Sequence, residues 1–211
     1  MGRVTVRAVL WDADGVLQRV PHGGEESMRA AVQGRVDDVD GFLLDAVAAE
    51  RRALTGEVRW LDVLPGLLQS WGIAAAYDEV VAVWLGIEPV EAARALVRAV
   101  RADGVRCYLT SNQDEHRARH MHDHLGYPGL LDGELYSCDL GLAKPDPAYF
   151  EEVLARTGVA PRRALLIDDS AANVDAARSA GLLAEVWSHR EPVEVLAGHL
   201  ARHGVLPARD G

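Results

Sequence analysis

Apolar residues follow two rhythms along this chain. Short runs of strand length, "VRAVLW" (6–11), "VRCYLT" (105–110), "ALLI" (164–167) and "LLAEVW" (182–187), are bounded by polar residues or glycine, as strands buried on both faces of a parallel sheet are. Between them stand segments with helical spacing: "PVEAARALVRAVRADG" (89–104), "DEHRARHMHDHLG" (114–126), "PAYFEEVLARTG" (147–158) and "AANVDAARSAG" (171–181). Several close on the glycine expected just past a helix C-terminus. The alternation predicts a doubly wound α/β domain. Residues 18–88 break it. Within them "SMRAAVQ" (27–33), "GFLLDAVAAERRAL" (41–54), "WLDVLPGLLQSWG" (60–72) and "YDEVVAVWLG" (77–86) read as helices, with no strand among them. This predicts a helical insert between the first strand and the rest of the sheet. The Gly and Pro residues of "LQRVPHGG" and "GIEP" mark hinges near positions 18–24 and 86–89. The residues after about 205 read as a loose tail.

With 211 residues, 49% of them hydrophobic, the chain can bury a substantial core. A formal charge of −10 leaves no basic stripe for a nucleic-acid backbone, and a small anionic substrate would need local positive charge or a metal. No apolar run approaches the length of a membrane span, and "MGRVTVRAVLWDADG" lacks the charged-then-apolar layout of a signal peptide. The expectation is a cytoplasmic protein, monomer or homodimer, with neither membrane nor nucleic acid as partner. Cys107 and Cys138 then read as free, mostly buried thiols.

Carboxylates collect where the apolar runs stop. "AVLW" leads into Asp12-Ala13-Asp14-Gly15, "CYLT" into Ser111-Asn112, and "ALLI" into Asp168-Asp169-Ser170. An aspartate after a strand is often only the N-cap of the next helix. In an open parallel sheet, however, ligands bind outside the carboxyl ends of the strands, so these clusters are expected to converge. Asp12 can attack phosphorus as a carboxylate nucleophile; Asp14 can protonate the leaving oxygen and later take a proton from water. Gly15 lets the chain turn sharply beside a bulky ligand. Nearby carboxylates repel and need a cation, and Asp168 and Asp169 complete with Asp12 and Asp14 an all-oxygen set suited to Mg²⁺.

Lys144, in "DLGLAKPDP", is the only lysine among 22 Lys and Arg residues. A compact ammonium suits a place between a carboxylate and phosphoryl oxygens, where a guanidinium would impose its fork geometry. The only two asparagines also fall in the clusters. Asn112, with Ser111 and nearby amides, can bind phosphate oxygens at a helix start, and Asn173 faces back toward the metal loop from a first helical turn. A rival set, His116, His120 and His124, repeats every four residues on one helical face and offers imidazoles to Zn²⁺, but reads better as a solvated helix surface.

In their order and spacing, "DADGVL", "TSN", "KP" and "IDDSAANV" resemble the four motifs of the haloacid dehalogenase superfamily, and the resemblance covers the whole chain. It implies a Rossmann-like core, residues 1–17 and 89–211, with the helical cap of subfamily I at 18–88. It implies Asp12 as nucleophile, Asp14 as acid and base with its backbone carbonyl on the metal, and Ser111 as phosphate binder. Lys144 becomes the charge stabiliser, and Asp169 the principal Mg²⁺ ligand with Asp168 beside it. The stretch "DLGLAKPDP…FEEVL" further resembles the branch of sugar-phosphate phosphatases related to glucose-1-phosphate phosphatase and to the N-terminal domain of soluble epoxide hydrolase. Trp11 departs from the more usual Phe, and Asn173 stands where many relatives carry an acid. The activity implied is a Mg²⁺-dependent phosphatase that acts on a small phosphorylated metabolite through an aspartyl phosphate. A mutase of the β-phosphoglucomutase kind would keep every motif, as would a silent relative that only binds a phosphorylated ligand. True haloacid dehalogenases lack the second aspartate, and a phospho-accepting receiver domain has its acidic pair early, its lysine last and no helical insert. Specificity is expected from the insert, whose polar candidates include Arg19, His22, Glu25, Glu26, Arg51, Arg52 and Trp60.

Overall fold

The computed structural model describes residues 5–206, so most of the tail expected after residue 205 lies outside it. Strand β1 (Ala8–Trp11) is followed by the two-residue strand β2 (Gln18–Arg19) and helices α1 (Gly24–Val32), α2 (Val39–Leu54), α3 (Trp60–Ser70) and α4 (Tyr77–Leu85). The chain returns through β3 (Glu88–Pro89) to α5 (Glu91–Ala102), β4 (Arg106–Ser111), α6 (Glu115–His124), α7 (Tyr127–Leu130) and β5 (Gly133–Tyr136). It ends with α8 (Ser137–Leu140), α9 (Pro147–Thr157), β6 (Ala164–Asp168), α10 (Ala171–Ser179), β7 (Leu183–Val186) and α11 (Val193–Arg202).

Five strands form one parallel sheet in the order β5-β4-β1-β6-β7, with β1 in the middle. Side chains alternate across it. Val9, Trp11, Leu109 and Ile167 enter one apolar cluster, with α5, α6 and α11; Ala8, Leu10 and Leu166 enter another, with Tyr149, Phe150 and Val174 of α9 and α10. Burial on both faces is why these strands show unbroken apolar runs rather than alternation. This is the Rossmann-like α/β architecture with helices on both sides of the sheet. Helices α1 to α4 carry a third cluster of their own, built on Phe42, Trp60, Leu64, Leu68 and Val80, and form the helical cap. No described helix is long and apolar enough to cross a membrane.

Two expectations need correction. β5, "GELY", is a sheet strand that the apolar pattern passes over: it lies at the edge, only Tyr136 is buried, and Gly133 and Glu134 interrupt any run. The region read as free of strands contains β2, and β2 pairs antiparallel with β3 through Gln18↔Pro89 and Arg19↔Glu88. Two residues are too few to carry a period, and the pair forms only because the chain leaves and re-enters the sheet at neighbouring places. It straps the two linkers together at the base of the cap.

Candidate active site

Because β1, β4 and β6 are neighbours in register, their carboxyl ends bring Asp12, Ser111 and Asp168 side by side. Into this space reaches Lys144. Its ammonium donates to Asp12 Oδ1 at 2.8 Å, to Asp168 Oδ2 at 2.6 Å and to the Thr110 carbonyl at 2.9 Å. Asp168, Lys144 and Asp12 are 0%, 5% and 7% exposed, so these charges compensate one another away from water. Burial acts to lower the affinity of Lys144 for its proton, but the combined field of Asp12 and Asp168 outweighs it and holds the ammonium well above the ordinary lysine range.

The asparagines hold this arrangement in place. Lys144 N–H donates to Asn112 Oδ1 and Asn112 Nδ2 donates to the Lys144 carbonyl, both at 2.8 Å. Asn112, expected among the phosphate ligands, therefore has its carboxamide engaged as a two-point clamp on the lysine backbone. Asn173 Nδ2 and the Ser170 amide both donate to Asp168 Oδ1 at 2.9 Å, leaving Oδ2 turned to Lys144.

Asp12, Asp168 and Asp169 each bring a carboxylate oxygen within 4.8 Å of the others, the one such acidic group of three among the described residues. Burial first, then Lys144 in opposition and Asp168 in support, pushes the Asp12 carboxyl up to about 8; Asp169 is raised by burial and then by Asp168. One ammonium leaves this set with an excess of negative charge. An all-oxygen, under-compensated group of this kind fits a hard divalent cation such as Mg²⁺. Gly15 makes the fit possible: at φ 80° its missing side chain leaves room for the Asp169 carboxylate, which a Cβ would overlap. Its carbonyl accepts from the His189 amide at 2.7 Å.

The Asp14 side chain stands outside this acidic group of three. Arg117 grips it with both terminal nitrogens, Nη1 to Oδ2 at 2.9 Å and Nη2 to Oδ1 at 3.0 Å. Gln18 Nε2 adds a bond to Oδ1 at 3.0 Å, and Gln113 Nε2 one to Oδ2 at 2.6 Å. Gln113 also donates to Ser111 Oγ at 3.1 Å, linking the expected phosphate binder to the expected acid and base. Sequence reasoning missed Arg117, Gln113 and Gln18. One signal was available: Arg117 lies three residues past Asp114, which caps α6 by accepting from the His116 and Arg117 amides, and the first turn of a helix so capped points at the sheet end.

Arg117 also meets the cap. Its guanidinium carbon lies 5.5 Å from the centre of the Trp84 ring, and Trp84 Nε1 donates to Asp114 at 2.7 Å. Glu50 of α2 faces the same junction; burial pushes its carboxyl up to about 7, with Asp114 adding to the rise and Arg117 opposing it. At the rim, Arg59 of the cap forks onto Glu115 at 3.0 and 3.1 Å.

The cleft at these strand ends has a volume of ≈ 830 Å³ and is lined by Asp12, Asp14, Ser111, Asn112, Lys144, Asp169 and Asn173. Of the cap candidates, Arg19 and His22 line this cleft, beside His189 and Arg190 from the loop after β7. Trp60 and Glu25 line a separate cavity within the cap, and Glu26 a shallow one at its edge. Arg51 and Arg52 are exposed on α2, the latter paired with Glu57. His116, His120 and His124 lie along α6, the last two rings 4.9 Å apart.

Residues 6–181 match the family model of the haloacid dehalogenase-like hydrolases. Among curated proteins the chain is similar to a phosphoglycolate phosphatase of Rhodospirillum rubrum, 35% identical over 107 residues, which are 49% of this chain and 44% of that protein. It is similar to a sesquiterpene phosphatase of Aspergillus oryzae, 32% identical over 91 residues, or 42% of this chain and 45% of the other. A phosphoglycolate phosphatase of Pseudomonas putida is 26% identical over 185 residues, 86% of this chain and 60% of that one. The chain thus spans about half the length of the curated relatives it matches. In fold it is similar to a haloacid dehalogenase family enzyme of Bacteroides thetaiotaomicron, with a TM-score of 0.78 at 18% identity over 92% of this chain and 98% of that one. The same enzyme in complex with magnesium and inorganic phosphate gives 0.72 at 19% identity over 90% and 98%.

Proposed function

Because this chain belongs to the haloacid dehalogenase-like hydrolase family, we propose that it is a Mg²⁺-dependent phosphatase that cleaves a phosphate monoester through an aspartyl phosphate on Asp12. The observation that carries the reading is the buried Lys144 ammonium between Asp12 and Asp168, beside a second carboxylate, Asp14, that dehalogenation does not need. Asp169, Asp12 and the carbonyl of Asp14 would hold the cation, with Asp168 spending its oxygens on Lys144, Ser170 and Asn173. When bound, Mg²⁺ supplies the positive charge that brings phosphoryl oxygens against a carboxylate nucleophile and offsets the charge that develops on them.

The chain's own residues do the rest. Lys144 holds Asp12 in one orientation and, with its three donors spent on Asp12, Asp168 and the Thr110 carbonyl, offers the phosphoryl group its charge rather than a hydrogen bond. Ser111, buried and fixed by Gln113, places a hydroxyl at the same strand end. As Asp12 Oδ bonds to phosphorus, the bond to the ester oxygen breaks and the leaving alkoxide takes from Asp14 a proton that Asp14 has gained from solvent on giving up Arg117; Asp14 then removes a proton from the water that attacks phosphorus and frees Asp12. To reach that oxygen, Asp14 exchanges part of its Arg117, Gln18 and Gln113 network for the substrate, which makes Arg117 a positioning residue for the proton step. The relatives' names support a monoester and differ on its alcohol, which is a short hydroxy acid in one case and a terpenoid in the other.

The test is release of phosphate from p-nitrophenyl phosphate with and without Mg²⁺, for the wild type and for Asp12→Asn. Turnover that needs the metal, and falls at least about 10³-fold in the variant, is expected. An Asp12→Asn enzyme with more than a tenth of wild-type activity refutes the aspartyl phosphate.

A further inference from the structure

The cap carries a second cavity, of ≈ 520 Å³ and open to solvent on one side, within the roughly 300–1,000 Å³ of small-molecule sites. Its walls are mostly hydrocarbon, with Met28, Phe42, Leu64, Leu67, Val83 and Trp84 among them. It shares Val20, Gly24 and Arg117 with the catalytic cleft, so the two spaces meet at the guanidinium that grips Asp14.

Four of the five charged residues in its wall have an ion-pair partner, and Glu50, its carboxyl raised by burial, stands without one among the described residues. Arg29 pairs with Glu25 at 3.1 Å and with Asp40 at 2.7 Å, and Arg117 is held by Asp14. Sugar hydroxyls or a second carboxylate moved in here would give up water for few free partners, whereas a hydrocarbon gains by leaving it. An independent feature points the same way. Leu44 and Val47, 72% and 52% exposed, are the two most exposed large apolar side chains among the described residues, and both belong to this lining.

We propose that the cap cavity receives the hydrocarbon part of the substrate, so that the preferred substrates are phosphate monoesters of long or branched apolar alcohols rather than of sugars or short hydroxy acids. The inference rests on the phosphatase reading, with the phosphate seated at Asp12 and Lys144 and the chain passing Arg117 into the cap.

The test is kcat/KM of the full chain with Mg²⁺ on n-alkyl monophosphates from ethyl to dodecyl, with farnesyl monophosphate, phosphoglycolate and glucose 1-phosphate alongside. The constant is expected to climb by up to about fourfold per added methylene until the cavity is filled, and to be lowest for the two polar esters. Ala46→Phe, which narrows the cavity from a partly exposed wall of α2, is expected to cut the dodecyl-to-ethyl ratio at least about tenfold. Turnover of short esters with a profile flat within threefold overturns the inference and leaves the phosphatase reading standing. If no ester is cleaved, that reading falls, and binding decides the cavity alone: dodecylphosphonate should shift the emission of Trp60 and Trp84 saturably where ethylphosphonate does not. No difference between the two phosphonates overturns the inference. A flat profile with a dimer that Leu44→Asp dissociates would instead assign the cavity to a second copy of the chain.

Discussion

A single ammonium among guanidiniums has a structural cause at Lys144. Three acceptors close on Nζ at 2.6–2.9 Å in a buried place, and Asn112 pins the backbone of the same residue at both its N–H and its carbonyl. A guanidinium is wider and planar, and the clamp leaves the backbone little freedom to retreat. Lys144→Ala is expected to lower kcat/KM about 10³-fold, and Lys144→Arg to recover no more than about tenfold of that, once melting curves show both folded. An arginine enzyme within threefold of wild type would show that charge alone suffices. Glu50 invites a test of the opposite kind, in stability. Its carboxyl titrates near 7 in the folded chain and near 4.5 when unfolded, chiefly because the cap junction buries it. Between those values the folded state holds the extra proton, so this contribution is full below pH 4.5 and is lost as pH rises through 7. Glu50→Gln is therefore expected to raise the stability of the protein at pH 8 by on the order of 1–3 kcal/mol, and by little at pH 5. Thermal melts at the two pH values check this; equal changes at both would show that the junction does not penalise the charge.

At the scale of elements, the end of β1 and the start of α6 divide the labour. β1 delivers Asp12 to the acidic group and, two residues later, turns Asp14 toward α6, where Gln113 and Arg117 receive it. The turn depends on Gly15, whose positive φ and missing Cβ let Asp169 approach from the end of β6. Gly15→Ala would set a methyl against that carboxylate in a conformation that L residues resist by roughly 1–2 kcal/mol. The expected result is a folded protein that no longer gains thermal stability from Mg²⁺ and has lost the metal-dependent part of its turnover. A Mg²⁺-induced rise in Tm equal to that of the wild type would remove Gly15 from the metal site.

Over the whole molecule, the cap meets the core where α2 lies against α8 and α3 and α4 lie against α6, with polar contacts from Trp84 to Asp114 and Arg59 to Glu115 and Arg117 beneath Trp84, while the β2–β3 pair straps the two linkers. An assembly of this kind, with a hydrophobic cluster on each side and a few contacts between, favours rigid-body movement of the cap over deformation. We expect Mg²⁺ with a phosphate analogue such as vanadate to slow amide exchange in residues 18–24 and 86–89, as closure orders the linkers. Unchanged exchange there would mean that the cap does not act as a lid.

Much of the candidate site, as a place where strand ends converge, could be read from the amino-acid order because its cause is local. A buried parallel strand ends where the apolar run ends, so a carboxylate placed next is at the mouth of the sheet; Asp12, Asp168, Asp169 and Ser111 follow from that alone. Lys144 stood out as a residue type that occurs once, and its neighbours matched a known set of motifs. What stayed hidden depends on which element lies against which. β5 is an edge strand whose apolar signal is weak, and the β2–β3 pair exists only because two distant linkers meet. Arg117 sits in a helix so rich in His and Arg that its pattern reads as solvated, yet packing turns this one guanidinium inward onto Asp14. The apolar residues of the cap read from sequence as core, and most of them are; that they stand apart far enough to leave a cavity opening toward Arg117 is decided by how four helices pack, since a periodic pattern records which face is apolar and not what fills the space in front of it.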